Sequence, residues 1–238
     1  PMINNLTVYP IRIMVIYFII VNTIAIYLFP GGSLYDSSLT AYSFSENFFS
    51  DLGVYETVRG EQNFLSCFLF NSTLVMMGFA CLSFILVPRL FKDNKLSYIC
   101  ATIGSYIAML SGLCFLGVGL TPADLYFHEH VFFVIVGFRA MVPGLLFLTI
   151  AFFLSPVSNK YTVASVLFLL SITVYSIFET SSPPEVSPRE DLELFRETVS
   201  YNRMVISVIA QKVITLISFI SFFMFTYGFY QLTLIKKD

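Results

Sequence analysis

Polar residues punctuate this chain at long intervals and do not alternate within its apolar reaches. Apolar stretches cover residues 11–29, 63–87, 98–120, 131–154, 161–178 and 204–232. Each is near or above the ~20 residues that a helix needs to cross the hydrocarbon core of a bilayer. The period-two pattern of a membrane β-barrel is absent. The pattern predicts an all-α integral membrane protein forming a single polytopic domain over residues 1–238. Its architecture is a six-transmembrane-helix bundle with short interfacial helices at the outer face. No small-residue cleavage site follows the first stretch, which reads as a retained helix and not a signal peptide.

Composition sharpens the class. The chain is 57% hydrophobic and 12% charged, with a mean hydropathy of +0.81, whereas soluble domains carry roughly 25% charged residues. Its formal net charge is −2 and no basic domain exists, which argues against a nucleic-acid partner. Cys67, Cys81, Cys100 and Cys114 all fall inside apolar stretches without zinc-like spacing, so neither a metal nor a cofactor is expected. Arg12, Arg89, Lys92, Lys95, Lys160, Lys236 and Lys237 flank one set of span ends, while the intervening segments 30–62, 121–130 and 179–203 are acidic or lack cations. By the positive-inside rule both termini are cytoplasmic and the acidic segments face outward.

The polar residues inside the stretches recur at one depth. Asn22, Asn71, Ser111, Arg139, Ser171 and Lys212 each lie roughly 10–14 Å below the outer boundary at the helical rise per residue. Two readings stand: interhelical hydrogen bonding, or a polar cavity that opens outward. Arg139 and Lys212 favour the second, because a cation near mid-bilayer costs about 2.5–3.5 kcal/mol or more and usually faces a cavity, partner or ligand. With no acid inside the same stretches, they point to an anionic lipid headgroup or small anion, with Asn22, Asn71 and Ser50 as further ligand-binding candidates.

Thr121-Pro122-Ala123-Asp124 reads as the start of the fourth helix, with Thr121 as cap and Pro122 at the first helical position. Asp124, His128 and Arg139 then share one face and descend towards the polar layer. His128 and His130 are two apart, so they cannot chelate one metal from a helix. Residues 45–53 read as an interfacial helix that hangs Ser50 and Asp51 over the bundle mouth. Ser187 and Glu190 form a capping box that opens an amphipathic helix leading into the sixth span. That helix is either a lid or a solvated connector.

Three motifs carry a resemblance. They are Phe49-Ser50-Asp51-Leu52-Gly53, Leu69-Phe70-Asn71-Ser72-Thr73-Leu74, and Gly117-Val118-Gly119-Leu120-Thr121-Pro122-Ala123-Asp124 followed by His128. They resemble an uncharacterised prokaryotic six-helix membrane family and, more distantly, the DRAM-like autophagy-modulator membrane proteins. The resemblance implies that Ser50, Asp51, Gly53, Asn71, Asp124 and His128 are marked positions, and that the membrane is a prokaryotic plasma membrane. It implies no activity.

Two functions follow. The first is a non-enzymatic sensor or partner protein that binds a membrane lipid or small anion, with room for a membrane-protein partner. The second is an intramembrane lipid hydrolase or transferase in which Asp51 or Asp124 acts with His128 in acid–base catalysis. Whether the protein is an enzyme stays open at this stage.

Overall fold

The computed structural model describes residues 2–181 and 183–235, with side chains from residue 5 onward. The elements are α1 (Met2–Leu28), a 3₁₀ turn (Phe49–Gly53), α2 (Phe64–Cys81), which continues directly as a 3₁₀ stretch (Leu82–Phe91), α3 (Lys95–Leu120), α4 (Phe127–Phe153), α5 (Lys160–Thr180), the short α6 (Leu192–Thr198) and α7 (Tyr201–Ile235). Six helices are long and apolar enough to cross a membrane, in agreement with the six apolar stretches. Side chains such as Ile13, Phe68, Phe79, Phe132, Leu167, Val174 and Leu216 are exposed, so the outside of the bundle is apolar.

The helices close into a ring. α1 packs on α2, α2 on α3, α3 on α4, α4 on α5, α5 on α7, and α7 returns to α1. A ring of this kind leaves space at its centre unless large side chains fill it. At one end they do. The 3₁₀ stretch touches α1, α3 and α7, and Phe91, Phe152, Phe225 and Phe229 are all at most 2% exposed. Phe152 stacks on Phe229 with ring centres 5.6 Å apart and meets Phe91 edge-on at 5.5 Å. This aromatic plug seals the end that carries Asn94, Lys95 and Lys160. Pro88 lies in the sealing stretch, where its missing N–H and its ring oppose an uninterrupted α-helix.

α3 and α4 approach closely. A Cβ on Gly104 would lie 2.8 Å from the Gly144 carbonyl and 2.9 Å from the Leu148 amide. Ser97 Oγ donates to Ala151 O at 2.9 Å and Ser111 Oγ to Gly137 O at 2.8 Å. Close backbones joined by serine hydroxyls are how apolar helices associate where burial alone gives little drive.

Several sequence expectations are corrected at the loop-rich end. α4 begins at Phe127 and not at Thr121. The Thr121 hydroxyl donates back to Gly117 O at 2.9 Å, finishing α3, and a turn closed by Tyr126 N to Pro122 O at 2.9 Å separates the two helices. Asp124 and His128 therefore do not share a helix face. The interfacial helix expected over 45–53 is reduced to the turn Phe49–Gly53, whose Asp51 carboxylate accepts from Phe48 N at 2.9 Å. Gly53 sits there because a Cβ would lie 2.6 Å from the Phe70 ring and 2.7 Å from Asn71 Oδ1. The cap of α6 is Asp191, which accepts from Leu194 N at 2.9 Å. Ser187 and Glu190 form only the turn before it.

Candidate functional site

Above the aromatic plug the ring encloses a cavity of about 820 Å³ that opens towards the loop-rich end. This lies within the roughly 300–1,000 Å³ typical of small-molecule sites. Its lower wall is apolar: Ala108 from α3, Met141, Leu145 and Leu148 from α4, Phe168 from α5, and Phe222 and Phe225 from α7. Its charged lining residues are Asp51, Glu56, Asp124, Glu179, Arg189 and Arg203, all from loops or from helix ends at the open side. One face of α7 presents a polar stripe, Ser207, Gln211, Thr215 and Ser218, at the spacing that keeps residues on one side of a helix.

The mouth is assembled by a chain of backbone clasps. Asp124 accepts from Tyr55 N at 3.0 Å and from Glu56 N at 2.9 Å, which fixes the hairpin-like segment 55–63 over α3. That segment in turn receives Arg189. The guanidinium pairs with Glu56 Oε1 at 3.1 Å and donates to Thr57 O at 3.0 Å and to Glu56 O. Arg196 donates to Leu34 O at 2.9 and 2.7 Å, and the Tyr35 hydroxyl donates to Val199 O. Pro183, Pro184, Pro188, Arg189, Phe195 and Val199 line the cavity. The segment between α5 and α7 is thus a strap across the mouth.

Asp51 stands inside this frame. Its Oδ2 accepts from Phe48 N at 2.9 Å and Asn47 Nδ2 at 3.1 Å. Burial pushes its carboxyl up to about 6, against the lowering effects of those two hydrogen bonds and of the Lys212 charge. A carboxyl whose folded pKa is raised contributes stability that is fully present below its unfolded value of 3.8 and is lost as pH rises through about 6. Asp51→Asn therefore removes a loss of stability between those pH values. It raises stability at neutral pH by an amount on the order of 2 kcal/mol. Thermal melts of wild type and variant from pH 4 to 7.5 check this: the two curves converge at the acid end, separate between about 4 and 6 and run parallel above.

Of the residues expected in a site, Ser50, Asp51 and Asp124 line the cavity. The others lie elsewhere. Arg139 is exposed on the outside of α4 and reaches the end of α5, where Nε donates to Thr180 Oγ1 at 2.9 Å and Nη2 to Thr180 O at 2.8 Å. It satisfies a carbonyl that a helix C-terminus leaves without an intrahelical partner. Lys212 donates to Asn47 O at 2.7 Å and lies 5.2 Å from the centre of the Phe49 ring and 5.4 Å from that of Tyr42. It is a strut under the loop, held by a carbonyl and by ring faces. Asn22 links α1 to α2 through Thr73 Oγ1 at 3.2 Å. Asn71 holds the 3₁₀ turn by donating to Gly53 O at 3.0 Å. His128 is exposed and does not line the cavity, so the three expected catalytic residues do not converge. Both lone cations are engaged at structural joints, and neither lines the cavity.

Arg139→Met accordingly costs about 1 kcal/mol of stability through the lost cap and leaves occupancy of the cavity unchanged. Native mass spectrometry of the variant beside wild type checks the second half of that expectation.

No family model, curated protein or solved structure matches this chain.

Sequence reasoning passed over other residues at the mouth. His130, not His128, is buried and lines the cavity. Its Nδ1 donates to Thr121 O at 2.7 Å, which leaves Nε2 as an acceptor. Glu179 closes α5, with Ser207 and Arg203 beside it. Arg203 donates to Phe178 O at 2.6 Å and stacks 3.5 Å above the centre of the Phe178 ring. Gln211 Oε1 accepts from Phe49 N at 2.7 Å. The four-residue step from Ser207 to Gln211 to Thr215 was the available signal, since a polar stripe through an apolar helix marks an inward face. Among the described residues no three His, Cys, Asp or Glu side chains gather as a metal site requires.

Proposed function

We propose that this chain is a multi-pass membrane protein whose helix ring holds one lipid-like amphiphile, with the apolar tail above the aromatic plug and the head at the strapped mouth. The observation that carries this reading is the segregation inside the cavity. An apolar lower wall built from α3, α4, α5 and α7 lies beneath a mouth that holds the charged lining residues. A wholly polar ligand would find no polar partners along the lower half, and a plain hydrocarbon would leave the charged and polar groups of the mouth unpaired.

The apolar outer surface of the six helices supports placement in a bilayer. Arg89, Lys92, Lys95 and Lys160 lie beside the plugged end, which the positive-inside rule assigns to the cytoplasm. The mouth then opens to the outside, and an amphiphile can enter from the outer leaflet. The role is binding and presentation, as in a sensor, carrier or partner subunit. A hydrolytic role gains nothing from His128, which lies outside the cavity.

The test is lipid analysis of protein extracted gently into nanodiscs and then stripped of bulk lipid. The expected result is one amphiphile retained per chain. Chains that carry no retained molecule beyond the annular lipid overturn the reading.

A further inference from the structure

From the mouth we infer the chemistry of the guest's head: it carries a protonated amine, received by Glu179 with Asp51 as second acceptor. This rests on the amphiphile reading above and goes beyond it.

The charges that line the cavity are Asp51, Glu56, Asp124 and Glu179 against Arg189 and Arg203, an excess of acids. The cations are also the more engaged. Arg189 is paired with Glu56 and two backbone carbonyls, and Arg203 is held by Phe178 O and the Phe178 ring. The acids retain acceptor capacity. Glu179 takes a hydrogen bond from Ser207 and lies near the Arg203 charge, but its Oε1 is sealed from solvent and has no hydrogen-bond partner among the described residues. Asp51 is bonded only through Oδ2 among the described residues. The second buried titratable group at the mouth, His130, presents an acceptor nitrogen as well.

A buried carboxylate oxygen without a donor is a costly defect, and a guest that supplies the donor removes it. The terminal torsion of a glutamate is broad, so a small rotation brings a Glu179 oxygen to a guest in the cavity. Ser207 beside Glu179 and Gln211 beside the Asp51 turn are four residues apart on α7, about 6 Å along the helix axis. A compact ammonium with three N–H donors suits a mouth lined by carboxylates from different elements, because it needs no fixed fork geometry. A carboxylate or phosphate head would add negative charge where acids already predominate.

The experiment uses the full chain in nanodiscs of zwitterionic lipid at neutral pH, with hexadecylamine, hexadecanol and hexadecanoic acid as radiolabelled probes of equal tail. The amine is expected to bind about tenfold or more tighter than the acid, the scale of one charge-assisted hydrogen bond. Glu179→Gln lowers amine affinity by about tenfold and lowers alcohol affinity by clearly less, because only the amine loses a charge-assisted hydrogen bond. Asp51→Asn, which keeps the acceptor for Phe48 N, provides an independent variant with the same direction of effect. Equal binding of all three probes leaves the cavity reading intact and overturns the head-group inference. So does an amine preference that survives both substitutions. If none of the three probes binds, the amphiphile reading itself fails.

Discussion

Ala108→Phe empties the cavity of its guest while the ring stays assembled. Ala108 lies on α3 and lines the apolar lower half of the cavity opposite residues of α5 and α7. It is partly buried, packing on the apolar core on one side and lining the cavity on the other. A phenyl ring directed into the cavity adds apolar volume there, so it gains contacts without overpacking a filled core. The expected outcome is an unchanged or raised Tm together with about a tenfold or greater fall in amphiphile retention, since the tail loses its place. Lipid mass spectrometry of the variant beside wild type reads the second quantity and a thermal melt the first. A destabilised variant that still carries the guest would show that residue 108 packs against protein and not against a void.

Asp124→Ala has the largest expected effect on the mouth. The carboxylate accepts from the backbone N–H groups of Tyr55 and Glu56, and hydrogen bonds to a charged acceptor are roughly twice as strong as neutral ones. Its removal leaves two donors to find water, at a cost of about 1–3 kcal/mol. The consequence travels, because Glu56 and Thr57 are the groups that hold Arg189 and through it the strap. Hydrogen exchange should rise at residues 54–57 and again at 187–191, in segments far apart in sequence. Asp124→Asn retains one acceptor oxygen and should show a smaller rise at both places. Exchange confined to residues 54–57 would mean that the strap is held independently of the clasp.

The spans were legible because a helix that faces lipid needs apolar residues all round, and that demand is written locally. The ring and its cavity were not. Which helices neighbour one another depends on contacts such as Gly104 against Gly144, and one glycine in an apolar run does not name its partner. Arg139 and Lys212 illustrate the limit most clearly. Counting along the spans places their Cα atoms at one depth, but a long side chain reaches several ångströms from its Cα. Arg139 used that reach to close α5 from outside the bundle, and Lys212 to brace a loop among aromatic rings. The neighbouring histidines show the same limit at finer scale. His128 and His130 are two residues apart, and the position at which α4 begins decided which one turned inward. That start was misplaced because the Thr121 hydroxyl closes the preceding helix instead of capping the next. Glu179, at the very end of its span, carried no signal until α7 was seen beside it.

The most direct measurement is a crystal structure of the protein grown from a lipidic mesophase, refined without any guest. Continuous density is expected from between Asp51 and Glu179, past Ala108, to the face of Phe225. A cavity closed by inward movement of Leu148 and Phe168, or one holding only discrete water peaks, would contradict it.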